Sequence, residues 1–184
     1  MAINLKKGQR ETIKSANFTV GLGWDTNESS NGFDFDLDAS IFVLGENKKL
    51  LTDNHFVFYN NLTCPDGAVQ HTGDNLTGEG EGDDESVIID LAKVNSKVSE
   101  ICVVVTIHDS ETRKQNFGQV RNSFVRIVDN STNEEVMKFE LDEDFSTETA
   151  VEFGRIYKRN DDWKFEAVGL GLNGGLEDFL KKYN

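Results

Sequence analysis

Between Asp74 and Glu85 the chain carries six carboxylates (Asp74, Glu79, Glu81, Asp83, Asp84 and Glu85) and the amide of Asn75, and Gly73, Gly78, Gly80 and Gly82 punctuate the stretch. Like charges packed this closely repel one another, so compact folding of the segment favours a cation among them. Glycine permits sharp, positive-φ turns and leaves backbone carbonyls open as ligands. Carboxylates, an amide oxygen and main-chain carbonyls are the hard donors that calcium takes in sets of about six to eight. Magnesium requires a stricter octahedron and ranks second, and the segment holds no thiolate or imidazole for zinc or copper. The spacing is not that of an EF-hand, because Leu76 and Gly78 stand at the third and fifth positions, where Asp or Asn is needed. A phosphate-cradling loop would need a lysine here. The plainer alternative is a solvated acidic hairpin tip.

A second acidic set follows Trp24. The run Phe33-Asp34-Phe35-Asp36-Leu37-Asp38 alternates strictly, which predicts a strand with three aspartates on one face. Side chains on that face repeat every ~6–7 Å, too far apart for all three to reach one ion unless the strand bends. Asp25 adjoins from a turn. His108-Asp109 ends the apolar run Ile101–Ile107, where a side chain reaches the rim of a sheet; a hydrogen-bonded structural histidine is the commoner outcome. His55 and His71 have no partner at metal-ligand spacing and read as structural or surface residues.

The elements that must position these groups are mostly strands. Runs rich in Val, Ile, Phe and Thr recur at 18–24, 33–44, 55–59, 86–91, 101–108, 124–129, 136–141, 150–157 and 163–168, with turn signals between them. That pattern predicts a mainly β fold, a β-sandwich of two sheets with a few short helices. Leu176, Phe179, Leu180 and Tyr183 fall at helical spacing and predict a C-terminal helix, and a weaker helical segment falls near 110–117. With one proline and no linker composition, residues 1–184 read as a single domain.

The net charge is −14, and residues 15–92 hold fifteen acids against Lys48 and Lys49, so nearly all the excess sits in under half the chain. Such a surface repels nucleic acid and anionic membranes and attracts cations. No apolar run reaches the ~18 residues of a membrane span, and no basic-then-apolar leader opens the sequence. The expectation is a cytoplasmic location without membrane insertion. Cys64 and Cys102 have no CxxC or Cys/His spacing and read as reduced thiols.

Several of these segments carry a resemblance to a known family. They are Val20-Gly21-Leu22-Gly23-Trp24-Asp25, residues 33–40, Phe56-Val57-Phe58-Tyr59-Asn60-Asn61, the loop 73–85, Thr106-Ile107-His108-Asp109, residues 116–121, residues 144–150 and Trp163-Lys164-Phe165. In order and over essentially the whole chain, they resemble the TerD family of bacterial tellurium-resistance and general stress proteins. The resemblance implies a β-sandwich with calcium sites in acidic loops, a cytoplasmic location, and a role in resistance to tellurite and related stresses. It implies a binding or scaffolding protein with protein partners in a stress-response complex, rather than an enzyme. Our assignment of ligands for two or more calcium ions places Asp74, Asn75, Asp83, Asp84 and Glu85 first, with backbone oxygens of Gly78 or Gly80. Asp34 and Asp36 come next, with Asp25 contributing from its turn. The rival reading is a metal-dependent hydrolase that uses the same acids, with His108 as general base. No GxSxG, P-loop or HExxH motif supports it.

Overall fold

The computed structural model describes residues 2–25, 32–73, 82–141 and 145–184. Its strands are β1 (Ile3–Asn4), β2 (Arg10–Thr12), β3 (Asn17–Gly23), β4 (Leu37–Gly45), β5 (Phe56–Val57), β6 (Val69–His71), β7 (Glu85–Asp90), β8 (Val98–Ile107), β9 (Phe124–Asp129), β10 (Glu134–Glu140), β11 (Ala150–Arg159) and β12 (Asp162–Leu172). Helix α1 spans Ser110–Arg113 and α2 spans Leu176–Tyr183. The strands form two six-stranded sheets, ordered β1-β10-β9-β3-β7-β6 and β2-β12-β11-β8-β4-β5. The expected mainly β architecture with a C-terminal helix is therefore the one observed.

Alternation accounts for the core. Phe18, Val20 and Leu22 of β3, and Val87 and Ile89 of β7, turn the same way as their strand neighbours Val125 and Ile127. They meet Ile41, Val43, Ile101, Val103, Val105, Val151 and Phe153 of the other sheet in one apolar cluster. The unbroken apolar run of β8 has a distinct cause. Its odd-numbered residues enter this core, while Cys102 and Val104 join Phe42, Leu44, Phe179 and Tyr183 in a second cluster beneath α2. A strand covered on both faces needs no polar alternation. Both cysteines are free, as the sequence reading expects, and both are buried. Burial, helped by the Asp66 carboxylate, pushes the Cys64 thiol up to about 11, which keeps it protonated at neutral pH.

One predicted strand is cut short. Residues 33–36 lie outside any strand, and β4 begins only at Leu37. The carbonyls that would enter a ladder are held by side chains instead. Gln115 Nε2 donates to Phe33 O (3.1 Å) and Asp34 O (3.3 Å), and the Trp24 indole N–H donates to Phe35 O (3.1 Å). The three aspartates consequently do not share one solvated face: Asp34 is exposed, whereas Asp36 and Asp38 are buried. Three short edge strands, β1, β2 and β6, carry no period long enough to be read from sequence.

Helix α2 anchors through Phe179, which is fully buried against Phe42 and Tyr183. Phe179→Ala is expected to cost about 3–5 kcal/mol, read as a fall in the denaturant midpoint at unchanged m-value.

Candidate metal centre

Register brings the acidic segments to one end of the sandwich. In the first sheet Leu22 pairs with Glu85, so the end of β3 and the start of β7 are neighbours. In the second sheet Leu37 pairs with Ile107, so the start of β4 lies beside the end of β8. Trp24 and Asp25, residues 34–38, Asp83–Glu85 and His108–Asp109 therefore gather around a common rim.

Two consecutive residues fasten this rim. Asp84 Oδ2 accepts the backbone N–H of Trp24 (3.0 Å), and the Asp84 N–H donates to Leu22 O (2.8 Å). Glu85 turns the other way and crosses to the second sheet, where its Oε2 accepts the N–H of Ala39 (2.7 Å). Strand β5 pairs with β4 only at Ile41 and Phe42, so Ala39 lies before the stretch that β5 covers. A carboxylate from the opposite sheet takes that backbone donor. Successive side chains on a strand point to opposite faces, and this alternation lets one dipeptide hold two sheets.

The sequence-derived ligands divide by what they touch. Asp25 is exposed; its N–H donates to Arg121 O (3.0 Å) and its Oδ2 accepts from Asn122 Nδ2. Asp84 is half-buried and lines, with Asp25, Trp24, Asn122 and Phe124, a cleft of about 420 Å³. Burial, reinforced by the Asp83 and Asp25 carboxylates, raises the Asp84 pKa above the ordinary aspartate value, against the opposing pull of the Trp24 N–H. Asp83 instead pairs with Arg126, whose Nε lies 2.7 Å from Oδ1, and lies over Gly21 of β3. A Cβ on Gly21 would fall 2.1 Å from Asp83 Oδ2, so only glycine admits the pair. Glu85 is 2% exposed and directed inward. Asp36 Oδ2 faces Arg113 at 3.9 Å, and its carbonyl accepts the His108 N–H (2.8 Å). Asp34 is exposed. Asp74, Asn75, Gly78 and Gly80 lie outside the described residues. Among the described residues, no three His, Cys, Asp or Glu side chains are placed to hold a metal ion.

His108 lies between two acids, with Nδ1 3.6 Å from Asp38 and Nε2 3.6 Å from Asp109. His71, read from sequence as a structural or surface residue without a partner, is buried with Nε2 3.4 Å from Glu85 Oε2. Neither His71 nor Arg126 stands out in the sequence as part of this rim. Their partners lie 14 and 43 residues away, a proximity created only by strand pairing.

Comparison with known proteins bears on the family and the fold. The TerD domain matches residues 1–183. The chain is 51% identical to a tellurium resistance protein, TerD, of Serratia marcescens, over 100% of this chain and 97% of that one. It is 50% identical to general stress protein 16U of Bacillus subtilis (strain 168), with the same coverage of 100% and 97%. A solved structure described as a homologue of telluride resistance protein (TerD), from Streptomyces coelicolor A3(2), superimposes with a TM-score of 0.73. It shares 19% identity over 90% of this chain and 95% of that one, and so attests the fold alone. On sequence match and fold together, the chain belongs to the TerD family, whose members include tellurium-resistance and stress-response proteins.

Proposed function

We propose that the protein is a calcium-binding stress-response module, acting in tellurite resistance, whose rim binds the ion through acidic loops. The observation that carries this reading is the convergence of Asp25 and Asp84 in one cleft, with Asp84 raised by burial and by neighbouring carboxylates. The donors fit calcium in kind: all are hard oxygens, and the rim tolerates irregular geometry. They do not complete a site without the glycine loop. In this reading Asp25 and Asp84 act with Asp74, Asn75 and the backbone oxygens of Gly78 and Gly80, and Asp36 and Asp34 serve a second position. Calcium supplies charge neutralisation there, not a reaction step.

We favour binding over catalysis. The hydrolytic alternative needs His108 as a base at the cleft, yet His108 is not among the residues that line it, where Lys138 and Glu140 stand beside Asp25 and Asp84. Phe33, 52% exposed beside Arg113 in the same region, gives a protein partner an apolar foothold next to the ion site. The acidic surface disfavours nucleic acid, and among the described residues no helix is long and apolar enough to cross a membrane. A cytoplasmic role alongside the named stress-response relatives is the context we infer.

Calorimetric titration tests the reading. Calcium should give a saturable heat that magnesium reproduces more weakly, and at about 100 times Kd it should stabilise by about 2.7 kcal/mol, a Tm rise of about 5–11 °C. Asp25→Asn and Asp74→Asn should each diminish both signals. Asp83→Asn is a poor probe, because it also breaks the Arg126 pair. Wild-type protein that gives no heat at millimolar calcium would end the proposal.

Asp84→Asn has an effect whose sign depends on the ion. A carboxyl raised in the fold favours folding while protonated; that contribution is complete below the ordinary aspartate pKa and is lost as pH rises through the raised value. In calcium-stripped protein at pH 7, Asp84→Asn should therefore raise Tm, by about 1–2 °C after allowance for solvent screening. The gain should vanish near pH 4. With saturating calcium the same variant should melt below wild type.

A further inference from the structure

The turn that launches α2 holds a reactive dipeptide. Asn173, Gly174 and Gly175 join the end of β12 to the helix, and Asn173 and Gly174 are both exposed. A glycine nitrogen carries no neighbouring Cβ to shield it from the carbonyl of a preceding asparagine side chain. Among the described residues, neither the Asn173 side-chain amide nor the Gly174 N–H makes a hydrogen bond. The turn is fixed just before them instead: Thr149 Oγ1 donates to Asn173 O (3.0 Å), and Thr149 N–H donates to Leu172 O (2.9 Å). Glycine suits both positions that follow. Gly175 stands at φ +67°, and a Cβ on Gly174 would fall 2.0 Å from Asp178 Oδ2. A larger residue at 174 would displace that carboxylate from the first turn of α2, where it complements the helix dipole. The residue that suits the turn is the one that leaves Asn173 unshielded.

We propose that Asn173 is a site of spontaneous deamidation and that its isoaspartyl product loosens the first turn of α2. The Gly174 nitrogen gives its proton to hydroxide and bonds to Asn173 Cγ, and the side-chain nitrogen leaves as ammonia. Water then opens the cyclic imide. Cleavage of the new C–N bond yields an aspartyl residue; cleavage of the original peptide bond yields an isoaspartyl link through the former side chain. Water enters, ammonia leaves, and nothing is oxidised or reduced. The isoaspartyl link adds one atom, about 1.5 Å of path, between Leu172 and Gly174. Both ends of the segment are held. Leu172 pairs with Ala150 in the sheet, and the far end of α2 is pinned where Tyr183 OH (2.8 Å) and Lys182 Nζ (2.7 Å) donate to buried Glu152. The slack therefore falls on residues 174–176, and Leu176 withdraws from the apolar cluster it packs against. The aspartyl product acts the other way, because a charge before the helix favours it.

Ageing the native protein at mildly alkaline pH, beside a sample held unfolded in urea, tests the proposal. Tryptic peptide 165–181 contains Asn173 as its one asparagine, so its mass reports the amide, and resistance to cleavage before aspartate reports the isoaspartyl form. Native protein should lose the amide within about 10-fold of the unfolded rate, as expected for a segment that opens locally. Isoaspartyl protein, isolated after ageing, should exchange the Leu176 amide about 10-fold faster than fresh protein. Asn173→Gln should keep both its amide and its exchange rate over the same interval. A native peptide that stays amidated while the unfolded sample converts shows that the fold protects Asn173, and overturns the proposal. Conversion without faster Leu176 exchange overturns the loosening and leaves the modification. Equal loosening in aged Asn173→Gln assigns it to another cause and overturns the link. The wild-type measurements stand alone, so a variant that fails to fold does not shield the proposal.

Discussion

Everything at the rim depends on the dipeptide Asp84–Glu85 and the two backbone N–H groups it satisfies. Trp24 N–H lies at the end of β3 and Ala39 N–H lies near the start of β4, in opposite sheets. Charge-assisted hydrogen bonds of this kind are about twice as strong as neutral ones, and a buried donor deprived of its acceptor costs about 1–3 kcal/mol. The two bonds leave adjacent residues in different directions, Asp84 just before β7 and Glu85 at its first position. The Trp24 indole then extends the tie to Phe35 O, so three acid-bearing segments are fastened through two adjacent residues.

The remainder of the sandwich is stabilised without help from this rim. On the outer face of the second sheet, Arg10, Glu166, Arg155 and Glu100 form a chain of ion pairs, with contacts of 3.1, 2.7 and 3.5 Å, and Lys48 closes it on Glu100. Charges of both signs alternate there, and the guanidinium of Arg155 serves two acids. At the rim the acids outnumber their cations, and backbone donors carry much of the compensation. The contrast separates a network that stabilises the fold from a region in which like charge is concentrated. In one, three cations serve two acids; in the other, acids are in excess.

The segments that read most clearly were those with a strong period or an unusual composition. β9 matches the predicted run 124–129, and α2 matches the spacing of Leu176, Phe179, Leu180 and Tyr183. The acidic loop stands out by composition alone, and its residues 74–81 lie outside the described ones. The strand expected over 33–44 failed in its first third because alternation describes side chains and says nothing of the backbone. There, Gln115 and Trp24 capture the carbonyls that a ladder would need. The roles of individual acids were equally illegible. Asp83, Asp84 and Glu85 are adjacent and chemically alike, yet one meets Arg126, one caps Trp24 and one crosses to Ala39. Strand pairing decides among them, and pairing partners 43 to 60 residues apart leave no local trace in the sequence.

The same distribution explains how a rim of like charge coexists with a stable fold. Two unit charges about 4 Å apart at an effective dielectric of about 20 interact by about 4 kcal/mol, a large part of the roughly 5–15 kcal/mol that holds a domain together. An acidic rim assembled only from such contacts would open. Here each described acid nearest the centre has a local counterweight: Arg126 for Asp83, Asn122 for Asp25, the Trp24 N–H for Asp84 and the Ala39 N–H for Glu85. Hydrogen bonds from neutral groups stabilise a carboxylate without cancelling its charge, so the rim keeps its attraction for a cation while its geometry is fixed beforehand. On the calcium reading proposed above, a rim fixed in this way would lose less conformational entropy when an ion binds. Of the three consecutive acids, Asp83 pairs with Arg126 and Glu85 crosses to Ala39, while Asp84, raised by burial and then by its acidic neighbours, holds the Trp24 N–H and faces the cleft.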